Sequence, residues 1–218
     1  LWNTYAFYVL YANIDGFDPT KYAFVEKSLS VMDQWILSKM NSAIRAVDED
    51  LAAYKITEAT RVLEELVDDL SNWYVRRSRE RYWGKEMTDD KINAYMTLYT
   101  VLVNTAKIAA PFIPFMAEDI YRNLVLSVDK SAPISVHLTD FPTADEGRID
   151  PKLEENMDEV IGIVTLGRAC RNAAAIKNRQ PIAKMYIKAE KTPDASFLPV
   201  IAEELNVKSV EVTDSVRA

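Results

Sequence analysis

The sequence predicts a mostly α fold, a helical bundle followed by a small α/β segment. Three observations carry that expectation. Apolar residues recur at three- and four-residue steps along most of the chain up to Gln180. Only five glycines occur in 218 residues, while Ala, Leu, Glu and Arg are plentiful, a composition that favours helix. After Gln180-Pro181 the pattern changes to short alternating runs, as in half-buried strands. The expected division is a bundle over residues 1–180 and a β-α-β segment over 181–218.

Each element has a local reason. Trp2, Tyr5 and Val9 share one side of an aromatic first helix over 2–14, which Asp15-Gly16 and Asp18-Pro19 break. A second helix, 30–48, is capped by Ser30 with Asp33 and carries Trp35, Ile36, Met40, Ala43, Ile44 and Val47 inward. A long third helix spans 55–83, with Gly84 as its C-terminal glycine. Thr88 caps a fourth over 89–110. Pro111 and Pro114 make PFIP a kinked connector before a fifth helix, 115–127. Residues 133–139 read as extended and 142–151 as a polar loop. The sixth helix, 151–178, has Leu153, Met157, Val160, Ile161, Val164 and Leu166 or Gly167 inside; Gly162 and Gly167 weaken it or permit close packing. Met185, Ile187 and Ala189 alternate with Tyr186 and Lys188 as a strand, followed by a short helix over 196–205 and a second strand over 207–212.

Composition narrows the function classes. The chain is 49% hydrophobic, ample for a core, yet no apolar run approaches the ~18 residues of a membrane span. No signal-peptide pattern opens it. The single Cys170 excludes an intramolecular disulfide, suits a reducing compartment, and is expected as a small buried residue. The lone His137 reads as structural rather than catalytic. With no CxxC or His/Cys cluster, zinc is not expected, and no glycine-rich phosphate loop occurs. The acid pairs Glu64-Glu65 and Asp68-Asp69 read as a solvated or salt-bridged helix face. Nothing assembles an active site. The chain opens at Leu1 within a helical pattern and ends with little sheet, so it reads as a piece of a longer protein.

The chemistry-bearing feature is LSNWYVRRSRERYW, residues 70–83. It holds two of the four tryptophans and four arginines against Glu80, in a chain of formal net charge -7. The stripe Leu63, Leu66, Val67, Leu70 and Trp73 extends by helical steps onto Arg77 and Arg81, while Arg76, Arg79 and Trp83 fall on a neighbouring face. The core-packing face is thus expected to turn cationic beyond Trp73. Two readings stand: a surface for an anion with flat faces, such as unpaired RNA, or a helix end whose arginines snorkel and pair with neighbouring acids. A second basic region follows. From Val160 to Ala189 there is no Asp or Glu, but Arg168, Arg171, Lys177, Arg179, Lys184 and Lys188 are present. The helix dipole accounts for Lys177 and Arg179, not for the absence of acids over the whole stretch, which favours anion binding.

These residues also carry a resemblance. LSNWYVRRSRERYW, with YANIDGF at 11–17, DQWILSKMN at 33–41, APFIPFMAEDIY at 110–121, SVHL at 135–138 and KNRQPI at 177–182, closely resembles the isoleucyl-tRNA synthetases over nearly the whole chain. The DxWILS and APFxPFxxExxY patterns are shared with the related class I enzymes for valine and leucine; NWYVRRSRxRxW points to isoleucine, with a valyl enzyme as the nearest alternative. The resemblance implies an anticodon-binding bundle of the class I synthetase type, from a cytoplasmic enzyme that attaches isoleucine to its tRNA with ATP and magnesium. It also implies that the catalytic and editing sites lie elsewhere. The family's His-Ile-Gly-His signature cannot form with one histidine, and Ser38-Lys39-Met40-Asn41-Ser42 is an accidental echo of its Lys-Met-Ser-Lys-Ser. The expected partners are an isoleucine-accepting tRNA and the parent's catalytic domain, with no membrane and no cofactor in this part. The expected RNA-binding residues are Asn72, Trp73, Arg76, Arg77, Arg79, Arg81, Trp83, Arg168, Arg171, Lys177, Arg179 and Gln180. Arginines would meet phosphates and stack on splayed bases, Trp73, Tyr82 or Trp83 would stack or shape the bundle, and Asn72 and Gln180 would read base edges. A scaffold whose basic face docks an acidic protein is the alternative from another class.

Overall fold

Helix α2 (Val31–Ala52) begins where its cap dictates. The Ser30 hydroxyl accepts from the backbone N–H of Asp33 at 3.1 Å, and the Asp33 carboxylate accepts in return from the Ser30 N–H at 3.0 Å. That reciprocal box satisfies two donors that a helix start leaves open. Trp35, Ile36, Met40, Ile44 and Val47 of α2 are buried, and α2 packs against α3 (Ile56–Asp68) and α5 (Asp89–Ala109). Thr88 caps α5, accepting from the Lys91 N–H at 3.3 Å. In turn α5 packs against α6 (Pro114–Tyr121).

The computed structural model describes residues 1–188 and 193–213. They form two compact units, one from Leu1 to Ile149 and one from Asp150 onward. The boundary expected at Gln180-Pro181 marks a change of secondary structure, whereas compactness divides the chain at Ile149, because the helix after it packs with the segment that follows.

In the first unit, α1 (Trp2–Asp15) closes on Gly16 at φ 62, a left-handed turn that glycine adopts without Cβ strain. Its Tyr8 meets Tyr95 edge-on at 6.0 Å, and Phe17 stacks on Tyr95 at 4.4 Å. The long third helix is one continuous helical path of changing pitch: α3, a π-helical stretch Asp69–Val75, the short α4 (Arg76–Ser78) and a 3-10 stretch Arg79–Tyr82. Gly84 follows directly on the Trp83 C-cap, where the C-terminal glycine is expected, but without the left-handed φ that Gly16 shows. After α6 another π-helical stretch covers Arg122–Leu126. Residues 133–139 are not uniformly extended: Val136–Leu138 is a 3-10 turn started by the Ser135 side chain.

In the second unit, Asp150 caps α7 (Pro151–Ala173) by accepting from the Leu153 N–H at 3.0 Å. The helix ends five residues before the expected Asn178, where Ala175 takes φ 55. β1 (Ile182–Ile187) runs parallel to β2 (Val207–Val212), with Ile182 opposite Val207, and α8 (Leu198–Leu205) joins them. β1 begins earlier than the strand expected from Met185, and Ala189 lies outside the described residues. Of the two inner candidates on α7, Gly167 is buried and Leu166 is 69% exposed. A Cβ on Gly167 would stand 2.4 Å from a Leu205 methyl, so the bare backbone is what lets α8 approach. Cys170 is exposed, not buried as expected, because the inward row of α7 runs Met157, Val160, Val164, Gly167 and Arg171 and leaves it outside.

Candidate nucleic-acid interface

The π-helical stretch decides which side chains of residues 70–83 face outward. A π turn holds more residues than an α turn, so the inward row slips past Trp73. The buried positions after Leu66 and Leu70 are Trp73, Tyr74, Val75, Ser78 and Tyr82. The core face therefore does not become cationic beyond Trp73. It continues through Tyr74, Ser78 and Tyr82, and the arginines stand outside or beside it. Asn72, Arg76, Arg79 and Trp83 are exposed, and Arg77 is half-buried. Trp83 is 60% exposed and donates its indole N–H to the Tyr11 hydroxyl at 3.1 Å. Arg76 lies over the Trp73 ring at 5.6 Å and donates from Nε to the Asn72 carbonyl at 2.7 Å, while the Asn72 amide donates to Asp68 at 2.5 Å. Arg79 makes no side-chain hydrogen bond or ion pair among the described residues.

Arg81 and Trp73 depart from the expected surface. Trp73 is 7% exposed and Tyr82 2%, with the Tyr82 hydroxyl donating to the Ala94 carbonyl, so both shape the bundle. The Arg81 guanidinium turns inward. Nη1 and Nη2 grip the two oxygens of Asp33 at 2.8 Å each, and Nε donates to Asp90 at 3.0 Å. Asp33 is fully buried and also accepts from the Tyr74 hydroxyl at 2.6 Å. Burial alone would raise the Asp33 pKa; the Arg81 and Tyr74 contacts outweigh it and hold the carboxyl below its ordinary value. Tyr74 is pushed up by burial and by the adjacent carboxylate. Beyond the stretch, buried Lys91 pairs with Asp15 at 2.6 Å and donates to the Gly84 carbonyl at 2.5 Å, tying down the exit. The acid pairs upstream are salt-bridged in part, Lys39 meeting Glu65 at 2.7 Å and Asp69 at 3.4 Å.

The second basic region lies in the second unit. Lys177, Arg179 and Gln180 are exposed on the turn after α7. Arg168 pairs with the buried carboxylate of Glu204 at 2.6 Å, and Lys184 pairs with Glu211 at 2.6 Å, so neither is an unpartnered cation. Arg171, expected on the surface, is 4% exposed. Its Nη2 donates to the carbonyls of Lys177, Asn178 and Gln180 and folds the turn around itself. Its Nε and Nη1 are buried without a partner among the described residues. A cavity of about 420 Å³ beside it, between α7 and β1, has mainly apolar walls, including Ile163, Leu166, Met185 and Tyr186.

The expected set thus sorts into an outward group (Asn72, Arg76, Arg79, Trp83 in one unit; Lys177, Arg179, Gln180 in the other), intermediate Arg77, Arg81 and Arg168, of which Arg81 turns inward to Asp33, and buried Trp73 and Arg171. Sequence reasoning missed Asp33, Tyr74 and Asp90. Asp33 was legible as a helix cap, but nothing local links it to an arginine 48 positions away. Among the described residues no cluster of His, Cys, Asp or Glu is placed to hold a metal, and no helix is long and apolar enough to cross a membrane.

Residues 33–187 match the family model described as the anticodon-binding domain of tRNA ligase. The isoleucine–tRNA ligase of Clostridium novyi is 57% identical over 212 residues, which is 97% of this chain and 20% of that protein. That of Clostridium acetobutylicum is 54% identical over the same shares. That of Dehalococcoides mccartyi strain 195 is 46% identical over 218 residues, 98% of this chain and 21% of the relative. The chain therefore spans about one fifth of the length of these curated relatives.

Proposed function

We propose a function from one premise: the chain belongs to the anticodon-binding domain family of tRNA ligases. In this reading it is the part of an isoleucine–tRNA ligase that grips the anticodon region of an isoleucine-accepting tRNA. The parent, a cytoplasmic enzyme, joins isoleucine to that tRNA with ATP and magnesium at sites outside these residues, and this part needs no cofactor. The isoleucine assignment rests on the relatives and on NWYVRRSRERYW.

One observation supports the grip most directly. In a chain of net charge -7, Arg76 and Arg79 stand exposed beside exposed Asn72 and Trp83 on one helical stretch. Cations meet phosphates, an indole face stacks on an unpaired base, and a primary amide both donates to and accepts from a base edge. The exposed Lys177, Arg179 and Gln180 offer the same chemistry on the other unit.

The test is the salt dependence of binding to an unmodified isoleucine tRNA transcript. Each phosphate neutralised in a single-stranded region contributes about 0.7 to the log–log slope. Replacing Arg76 and Arg79 together with alanine is expected to lower affinity and flatten the slope by up to about 1.4, with unchanged helical circular dichroism. A slope indifferent to these arginines would sink the reading.

A further inference from the structure

We infer that Asp33 is the positioning residue of the cationic stretch, setting the path along which Arg76, Arg77 and Arg79 are offered to the tRNA; this rests on the reading above. The observation is a convergence. One fully buried carboxylate on α2 receives Tyr74 at 2.6 Å and both terminal nitrogens of Arg81 at 2.8 Å, and its second oxygen also accepts from the Ser30 hydroxyl at 2.7 Å. Tyr74 and Arg81 bracket residues 75–80. Both ends of the segment bearing the outward arginines are therefore tied to one group.

The bracketed segment needs such a tie. Its backbone passes from π to α to 3-10 geometry within residues 69–82. None of these short irregular stretches is favoured by local hydrogen bonding alone, and a wide or tight turn persists where tertiary contacts hold it. The azimuth of Arg76 and Arg79 about the helix axis depends on how many residues that wide turn contains. Loss of the tie at Tyr74 or Arg81 lets the segment return toward regular α geometry, which rotates the arginines relative to Asn72 and Trp83.

Charge and position make opposite forecasts, which gives the inference its test. Asp33 cancels the charge of Arg81. If only electrostatics mattered, Asp33→Asn would release a cation and tighten tRNA binding. If Asp33 positions the stretch, the same variant weakens binding although the chain has become less acidic. Tyr74→Phe removes one hydrogen bond, keeps the ring, and changes no charge. Affinity for the isoleucine tRNA transcript is measured against salt for wild type, Asp33→Asn, Tyr74→Phe and Arg76→Ala/Arg79→Ala. Both positioning variants are expected to bind roughly three- to tenfold more weakly, the scale of one net hydrogen bond, and Tyr74→Phe, which changes no charge, to flatten the salt slope toward that of the arginine pair. Should Asp33→Asn fail to fold, Tyr74→Phe decides. Wild-type or tighter binding by the folded positioning variants, with the arginine pair still impaired, overturns the inference alone. An unimpaired arginine pair overturns the functional reading and the inference with it.

Discussion

The two cationic regions each turn one arginine inward, in opposite company. Arg81 in the first unit meets two carboxylates, Asp33 and Asp90, in paired geometry. Arg171 in the second meets, among the described residues, backbone carbonyls alone and leaves Nε and Nη1 without partners there. Taking a guanidinium out of water is costly, and a carboxylate offsets that cost far better than neutral carbonyls do. The outward fields differ accordingly. The charge of Arg81 is cancelled where it sits, so the outward charge of the first region is that of Arg76 and Arg79 with half-buried Arg77 between them. The charge of Arg171 is not cancelled by any side chain among the described residues and adds to that of Lys177 and Arg179. The first region is a set of cations positioned by an internal ion pair, and the second is a turn wrapped around a cation.

The comparison breaks most visibly at the ion pair. Arg81→Ala leaves Asp33 buried and uncompensated, and removing one partner of a buried pair costs about 3–5 kcal/mol. All four tryptophans, Trp2, Trp35, Trp73 and Trp83, lie in the first unit. Tryptophan fluorescence during urea unfolding should therefore show a much lower midpoint for this variant. A change below about 1 kcal/mol, the ordinary value for exposed pairs, would mean that Arg81 is solvated like a surface residue.

Acid separates the regions next. Asp33 is held below its ordinary pKa, so its contribution to stability is complete above the unfolded value of about 3.9 and is lost as pH falls through the folded one. The stability gap between wild type and Asp33→Asn, read by tryptophan fluorescence, should narrow between pH 5 and pH 2. Among the described residues no carboxylate bonds to Arg171, so the effect of Arg171→Met should be the same at pH 7 and pH 4. That substitution gives up three carbonyl contacts but also removes a half-partnered buried charge, for a net cost of about 1–2 kcal/mol. Roughly tenfold faster hydrogen exchange at the Ile176 and Gln180 amides, which bond back to Arg171 and Lys177, is the expected sign. Unchanged exchange there would show that the turn holds itself without the guanidinium.

The helical bundle was legible because its signals are local. The Ser30–Asp33 box, Thr88 and the apolar row of α2 each act within a few residues, and each appears where the sequence puts it. The stretch proposed as the site is picked out in the sequence by arginine and tryptophan crowding in an acidic chain. The facing of individual side chains was not. An extrapolated α-helical row sends Arg77 and Arg81 along the packing face, but the π-helical stretch slips the row by one residue, and no short sequence pattern announces a π turn. Arg81 meets the reading in which arginines at a helix end pair with neighbouring acids, but which acid, and that Arg171 turns inward, is not written locally. Their partners are Asp33, 48 residues upstream, and carbonyls, which no sequence displays. Cys170 went astray because hydrophobicity predicts burial on average, and this residue falls between inward Gly167 and Arg171 on the α7 wheel.

The smallest effect sharpens how the second region is held. Gly167 and Gly162 lie five residues apart on α7, and both cost helix stability relative to alanine, by roughly 1 kcal/mol each. Their surroundings are opposite. An added Cβ at Gly162 meets nothing within 4 Å, whereas at Gly167 it meets both Leu205 methyls, at 2.4 and 2.9 Å, and Leu205 is 2% exposed. Gly162→Ala should therefore stabilise the chain by a few tenths to about 1 kcal/mol. Gly167→Ala should destabilise it, because overpacking costs about 1–3 kcal/mol against that same helical gain. Thermal unfolding followed by circular dichroism reads both. Opposite signs mean that α8 and α7 are in close contact at Gly167, which fixes the end of the helix that carries the Arg171 turn. Two stabilising substitutions would mean that Leu205 moves aside freely and that the guanidinium alone organises the turn.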